Sequence, residues 1–146
     1  MKINIITNSH VEETEITICC KYLTSEIEHI LSLLRIMDRK LTGVKDGQLH
    51  ILDVNTILYI DTVDKKTFLY TKTSVYESSL RLYELEQQLE GTDFFRGNKS
   101  CIINFDYIRS MKAEFDGRLL VTMSNGEKLV VSRQYAPLVK KKLGVR

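Results

Sequence analysis

The stretch Phe94-Phe95-Arg96-Gly97-Asn98-Lys99-Ser100-Cys101-Ile102-Ile103-Asn104-Phe105-Asp106-Tyr107-Ile108 sets two aromatics, a polar cluster with two cations and a β-rich apolar run in direct succession. The Phe pair and the Ile102–Ile108 segment require a core, so the Arg96–Ser100 cluster between them is expected on a short exposed connection pinned at both ends. A pinned loop with two cations suits binding an anion or reading a base edge. A solvated loop between two strands satisfies the same residues equally well, and this stretch alone leaves both open.

Downstream the chain reads as hairpins. Tyr107–Phe115 is a strand, Asp116-Gly117 turns it into Arg118–Met123, and Asn125-Gly126 turns that into Glu127–Ser132. Asn-Gly is the preferred centre of a type I′ hairpin turn, and Leu120 and Thr122 alternate opposite Lys128 and Val130 around it. Tyr135–Leu143, with Pro137 near its start, is expected as a terminal turn of helix.

Upstream, Asp46-Gly47 separates strands at Leu41–Lys45 and Gln48–Leu52, and Asn55–Thr62 alternates with β-formers. A polar turn at Val63-Asp64-Lys65-Lys66 leads into Thr67–Thr71, and a turn at Lys72-Thr73-Ser74 leads into Val75-Tyr76. Ser79–Glu90 changes to helical spacing through Leu82, Leu85 and Leu89, with Gly91 where a C-terminal cap belongs. The first 44 residues read as a β-β-α unit: strands at Lys2–Thr7 and Glu15–Leu23, then a helix over Ser25–Met37. That helix carries an apolar stripe of Ile27, Ile30, Leu31, Leu34 and Met37, and a capping box from Ser25 and Glu28. The unit is too small to hold a core alone. The expected class is mainly β with α (α+β): an elongated antiparallel β-domain over 45–146 with one or two short helices, preceded by the small extension over 1–44.

The 146 residues suffice for about one domain without disulfides. No apolar run approaches the ~20 residues of a spanning helix, and the N-terminus lacks a signal-peptide pattern. Three cysteines, Cys19 and Cys20 adjacent, form neither a disulfide framework nor a zinc motif, so a reducing, cytoplasmic setting is expected. The net charge of +2 is unevenly placed. Residues 1–44 carry five cations against six anions, 45–93 five against nine, and 94–146 eleven against four. Concentrated positive charge points to a polyanion, nucleic acid or an anionic membrane surface.

Enzymatic readings find little support. Nucleophile-elbow, zinc-protease, phosphate-loop and dinucleotide motifs are missing from the sequence, the histidines (His10, His29, His50) all precede the dense β region, and Cys101 reads as a small core residue. No cofactor, metal or small-molecule substrate is expected. Lys65-Lys66, Arg96 to Lys99 and Ser132-Arg133 all lie at ends of expected strands. Arg bonds guanine edges bidentately and Lys adds phosphate or guanine contacts. Three such loops on one edge of a β-scaffold suit DNA, and solubilising hairpin turns fit the same residues.

From about residue 45 onward the chain resembles the LytTR DNA-binding domain. The likeness runs through Ile57-Leu58-Tyr59-Ile60-Asp61, Phe68-Leu69-Tyr70-Thr71, the Leu82–Leu89 helix, the F-x-R-x-x-K-S-x-x-x-N run from Phe94 to Asn104, and Asn125-Gly126-Glu127 through Ser132-Arg133-Gln134-Tyr135. The resemblance implies a mainly antiparallel fold whose loops enter successive major grooves. Lys99 and Arg133 match the family's DNA-contacting positions, Lys65 or Lys66 falls in an earlier contact loop, and Arg96 and Ser100 contact phosphate or hold the loop. Many members carry His where this chain has Asn98, whose amide still suits an adenine edge. Only about 44 residues precede the match, too few for a receiver domain, so a standalone transcriptional regulator is expected. Its expected partners are duplex DNA bearing promoter direct repeats, a second copy in a homodimer on that DNA, and a small membrane protein acting as inhibitor. Residues 1–44 are then a dimerisation or inhibitor-docking element, or simply a cap on the β-domain. The rival is a protein-interaction module that keeps the fold but binds a protein or membrane partner.

Overall fold

The computed structural model describes residues 1–37 and 39–144. Among them three helices and ten strands follow in the order α1 (Ser25–Met37), β1 (Lys40–Lys45), β2 (Gln48–Asp53), β3 (Tyr59–Val63), β4 (Lys66–Tyr70), β5 (Val75–Ser78), α2 (Leu82–Gln88), β6 (Phe94–Asn98), β7 (Cys101–Asn104), β8 (Ile108–Ala113), β9 (Leu119–Met123), β10 (Lys128–Val131) and α3 (Ala136–Leu143). The architecture is α+β and every strand pairing is antiparallel. No helix among the described residues is long and apolar enough to cross a membrane.

Strands β2-β1-β5-β4-β3-β7-β6 make a seven-stranded sheet, and β10-β9-β8 make a separate three-stranded one. The central strands β3 and β7 explain the continuous apolar runs at Ile57–Ile60 and Cys101–Ile103. Side chains alternate across a strand, so such a run is stable only where both faces are buried. Ile60 and Ile102 face one side, where they pack with Leu41, Leu69, Leu82 and Leu85 of α2, and Leu89 just beyond its end. Tyr59, Cys101 and Ile103 face the other, where Leu119, Val121, Met123 and Val131 of the small sheet and Ala136 and Val139 of α3 cover them. Each fully buried aliphatic side chain contributes about 1.5–3 kcal/mol.

A buried amide braces the turn by which the chain leaves the large sheet. Asn104 is 2% exposed; its Nδ2 donates to the Ile57 carbonyl at 2.8 Å and its Oδ1 accepts from the Asp106 N–H at 3.0 Å. The latter bond ends β7 and starts one 3-10 turn at Phe105–Tyr107, so the apolar run to Ile108 is two strands at an angle and not one. A similar turn at Val54–Thr56 shortens the strand expected over Asn55–Thr62 to Tyr59–Val63. Helix α2 is likewise shorter than Ser79–Glu90, because β5 runs on to Ser78, which bonds the Leu80 N–H through its hydroxyl.

The N-terminal extension differs most from expectation. Helix α1 spans the expected residues, and Ile27, Ile30, Leu31 and Leu34 are half-buried; the Met37 side chain lies outside the described ones. Its cap is Thr24, whose Oγ1 accepts the Ile27 N–H at 3.4 Å, and not Ser25. The strands expected at Lys2–Thr7 and Glu15–Leu23 are not formed: residues 1–24 contain no strand or helix. Their alternation is strand-like, but a strand needs a neighbour for its backbone groups, and these segments have no ladder partner in the described chain. Their apolar residues, including Ile3, Ile5, Ile6, Ile16 and Tyr22, stay exposed. Strand β1 begins at Lys40, so the sheet takes in residues from before the expected boundary at 44, with Leu41 in the core.

Replacing Asn104 with alanine leaves the buried Ile57 carbonyl and the Asp106 N–H without these partners. The expected loss is about 1–3 kcal/mol, read as a lower urea midpoint with an unchanged slope.

Candidate nucleic-acid interface

Antiparallel pairing decides which turns meet. The β3–β4 turn and the β6–β7 turn lie at the same end of the large sheet, because β3 and β7 pair with Asp61 opposite Cys101. The Thr62 N–H donates to the Ser100 carbonyl at 2.9 Å and ties the two turns together. The end of β10 joins them: the Ser132 N–H donates to the Gly97 carbonyl at 2.9 Å, and Asn98 Nδ2 donates to the Val130 carbonyl at 2.7 Å. All three loops singled out from the sequence therefore converge on one edge, although they come from two sheets.

Within the central loop the side chains divide by task. Arg96 and Asn98 belong to β6, and the connection itself is only Lys99-Ser100. Arg96 has just 16% of its side chain exposed. Its Nε donates to the Asn98 carbonyl at 2.8 Å, Nη2 to the Lys99 carbonyl at 2.7 Å, and Nη1 to Glu86 Oε2 on α2 at 2.7 Å. Asn98 also turns inward, its Oδ1 accepting the Ser100 N–H at 2.8 Å while Nδ2 holds β10. Lys99 and Ser100 are exposed, and the Lys99 ammonium stands outside this network. Gly97 sits at the β6 bulge, where a Cβ would lie 2.8 Å from Ile103 Cδ1; only glycine lets the strand bend there without displacing the core.

Arg133 is exposed on the turn between β10 and α3, which the Tyr135 and Ala136 N–H groups close onto the Ser132 carbonyl. Its stem lies against Gly117, where an added Cβ would approach Arg133 Cγ to 2.7 Å. Neighbouring Arg118 was missed in the sequence. Together with Asn98, Lys99, Ser132, Arg133 and Gln134 it lines a shallow basic hollow of about 450 Å³. Arg118 bonds Asp116 at 2.7 Å, and its backbone N–H and guanidinium hold that carboxyl below the usual range. The Asp116-Gly117 turn was legible, but its position beside the end of β10 follows only from the β9–β10 pairing of Leu119 with Val131.

Lys65 and Lys66 are exposed on the β3–β4 hairpin. Asp64 and Lys65 have φ of 51° and 65°, the type I′ geometry that glycine or asparagine usually fills. The lone thiol near the edge is inert: burial, with Asp61 adding to it, pushes Cys101 up to about 12.

The fold is that of a DNA-binding β-scaffold. The family model for the LytTr DNA-binding domain matches residues 47–144, and the chain belongs to that family. Among solved structures it is similar to the LytTr DNA-binding domain of a Bacillus cereus protein assigned as a methyl-accepting/DNA response regulator, with a TM-score of 0.68 and 27% identity over 72% of this chain and 96% of that one. Along 99% of both chains it is 28% identical to uncharacterised HTH-type transcriptional regulators of Staphylococcus aureus strains NCTC 8325 / PS 47 and COL. Here, strands separate every pair of consecutive helices among the described residues, so no helix-turn-helix is present among them.

Because Lys65 occupies a left-handed conformation, Lys65→Gly is expected to raise stability by about 1 kcal/mol or less. A higher urea midpoint checks this, and an unchanged or lower one counts against strain at the turn.

Proposed function

We propose that the chain is a transcriptional regulator that binds duplex DNA sequence-specifically, reading major-groove base edges with loops at the strand ends. The observation that carries this reading is the division of labour at the edge. Arg96 and Asn98 spend their polar groups inside the protein, whereas Lys99 and Arg133 project from loops that those bonds hold rigid. Rigid loops lose little entropy on binding, and their cations meet base edges at a set height. Lys99 and Arg133 are the base readers, Lys65, Lys66 and Ser100 extend the contact along the phosphates, and Arg118 joins them. Arg96 and Asn98 are positioning residues.

No catalytic step is part of this function, and a DNA partner places the protein in the cytoplasm. Two copies act on promoter direct repeats as a homodimer. The exposed apolar arm within residues 1–44 serves as the docking element for a small membrane protein that restrains the regulator; Ile3, Ile5 and Ile16 supply its apolar surface.

Titration of the purified chain onto its own upstream DNA, with footprinting, tests the reading. Lys99→Ala and Arg133→Ala should each cost about 1–3 kcal/mol and relax sequence preference. Lys66→Ala should weaken all sequences alike and reduce the salt dependence by about one counterion. Unchanged affinity and preference in both Lys99→Ala and Arg133→Ala would sink the assignment.

A further inference from the structure

The two edges of the seven-stranded sheet are built differently. Edge β6 is closed, by its bulge between Arg96 and Asn98 and by the bonds from Ser132 and to Val130 that dock the small sheet along it. Edge β2, Gln48-Leu49-His50-Ile51-Leu52-Asp53, has none of the usual blocks: no proline, no lysine and no irregularity in its register with β1. It pairs only with β1 among the described residues.

The hairpin geometry fixes what this edge presents. A two-residue turn at Asp46-Gly47, both with positive φ, closes on the pair Lys45–Gln48. The closing pair of such a hairpin exchanges hydrogen bonds, and bonded pairs then alternate. Gly43–His50 and Leu41–Leu52 are therefore bonded inward, whereas Leu49 and Ile51 turn their N–H and C=O groups to the open edge. The same two residues carry the strand's exposed apolar side chains, at 69% and 73% exposure, on the face where Val44 lies opposite Leu49. The cluster under the small sheet takes residues from β3, β7 and their neighbours β4 and β6, and none from β1 or β2.

We propose that β2 pairs antiparallel with β2 of a second copy about a two-fold axis at His50. That register opposes Leu49 to Ile51 of the partner subunit and Ile51 to Leu49 of the partner subunit. Every outward backbone group of these residues then finds a mate, and every outward apolar side chain meets an apolar one. Neither surface needs a different complement, which is the condition for an isologous interface. The proposal gives a surface to the second copy invoked above, yet it is measured without DNA, so either reading can fail alone.

Sedimentation of the full chain from low micromolar to about 100 µM, a range that captures weak specific pairs, should show a species of twice 16.9 kDa. Its dissociation should change little with salt that weakens DNA binding. Ile51→Lys, at a site too exposed to threaten folding, should raise the dissociation constant at least tenfold. On the axis, the two copies of residue 50 form a non-bonded pair with Cα atoms about 4.5 Å apart, within disulfide reach. His50→Cys, in a chain also carrying Cys19→Ser and Cys20→Ser, should cross-link on mild oxidation. A monomer at the highest concentration with no cross-link overturns the proposal. So does a dimer that Ile3→Lys with Ile5→Lys dissolves and Ile51→Lys leaves intact, which would assign the contact to the N-terminal arm.

Discussion

The guanidinium of Arg96 is the constraint on which the interface depends. One planar group donates to two successive carbonyls of its own turn and to a carboxylate on α2. Bonds to ionised partners are among the stronger ones in proteins, and a fork geometry fixes direction as well as distance. The turn cannot pivot without giving up both carbonyl contacts, so the Lys99 side chain leaves the protein in a set direction. The link to Glu86 relates that direction to the core helix, whose Leu82 and Leu85 are themselves buried against the sheet. A mobile loop with the same cations would attract DNA but discriminate poorly among sequences, since phosphate contacts position and base contacts specify.

The same economy runs through the rest of the edge. Asn98 bonds the turn with its oxygen and the small sheet with its nitrogen, and Asn104 does the equivalent between Ile57, ahead of β3, and the Phe105–Tyr107 turn. Two amides, each satisfied at both ends, fix positions that apolar contacts alone would leave free to slide, and Asn98 is the one that reaches from one sheet to the other. Glycines at 97 and 117 matter for the same reason: each removes a Cβ that would strike Ile103 or Arg133. The exposed cations thus stand on a support made of buried or half-buried polar groups. Side chains of one composition, a cluster of Arg, Asn, Lys and Ser, are split between those that support the turn and those left exposed by which atoms find partners.

Much of the scaffold was legible in residue order. The type I′ turn at Asp46-Gly47, the helical spacing of α1 and the pinned loop after Phe95 all follow from local preferences, and these act over a few residues. Asn125-Gly126 does mark a hairpin, but of the two only Gly126 has a positive φ and its N–H closes onto the Met123 carbonyl, so the turn is not the expected type I′. The loop's inner division was not legible, because Arg96 and Lys99 are both cations in one polar run and only the positions of the Asn98 carbonyl and Glu86 separate them. The strands expected within residues 1–24 failed for a related reason. Alternation marks a segment able to form a strand, but a ladder requires a partner, and pairing is a property of the whole chain or of two chains.

By itself the sequence determined the class of the protein, the strand and turn positions through most of the chain, and the three cationic loops, since periodicity, turn chemistry and a family-specific run of residues are all local signals. Tertiary structure alone decided that the loops share one edge, that Arg118 joins them, that Arg96 supports while Lys99 and Arg133 project, and that one sheet edge is closed and the other open. Each of these depends on which strands become neighbours. Residues 30 or more apart, such as Gly97 and Ser132, meet there through backbone hydrogen bonds that almost every residue type can make, so their identities carry almost no record of the meeting.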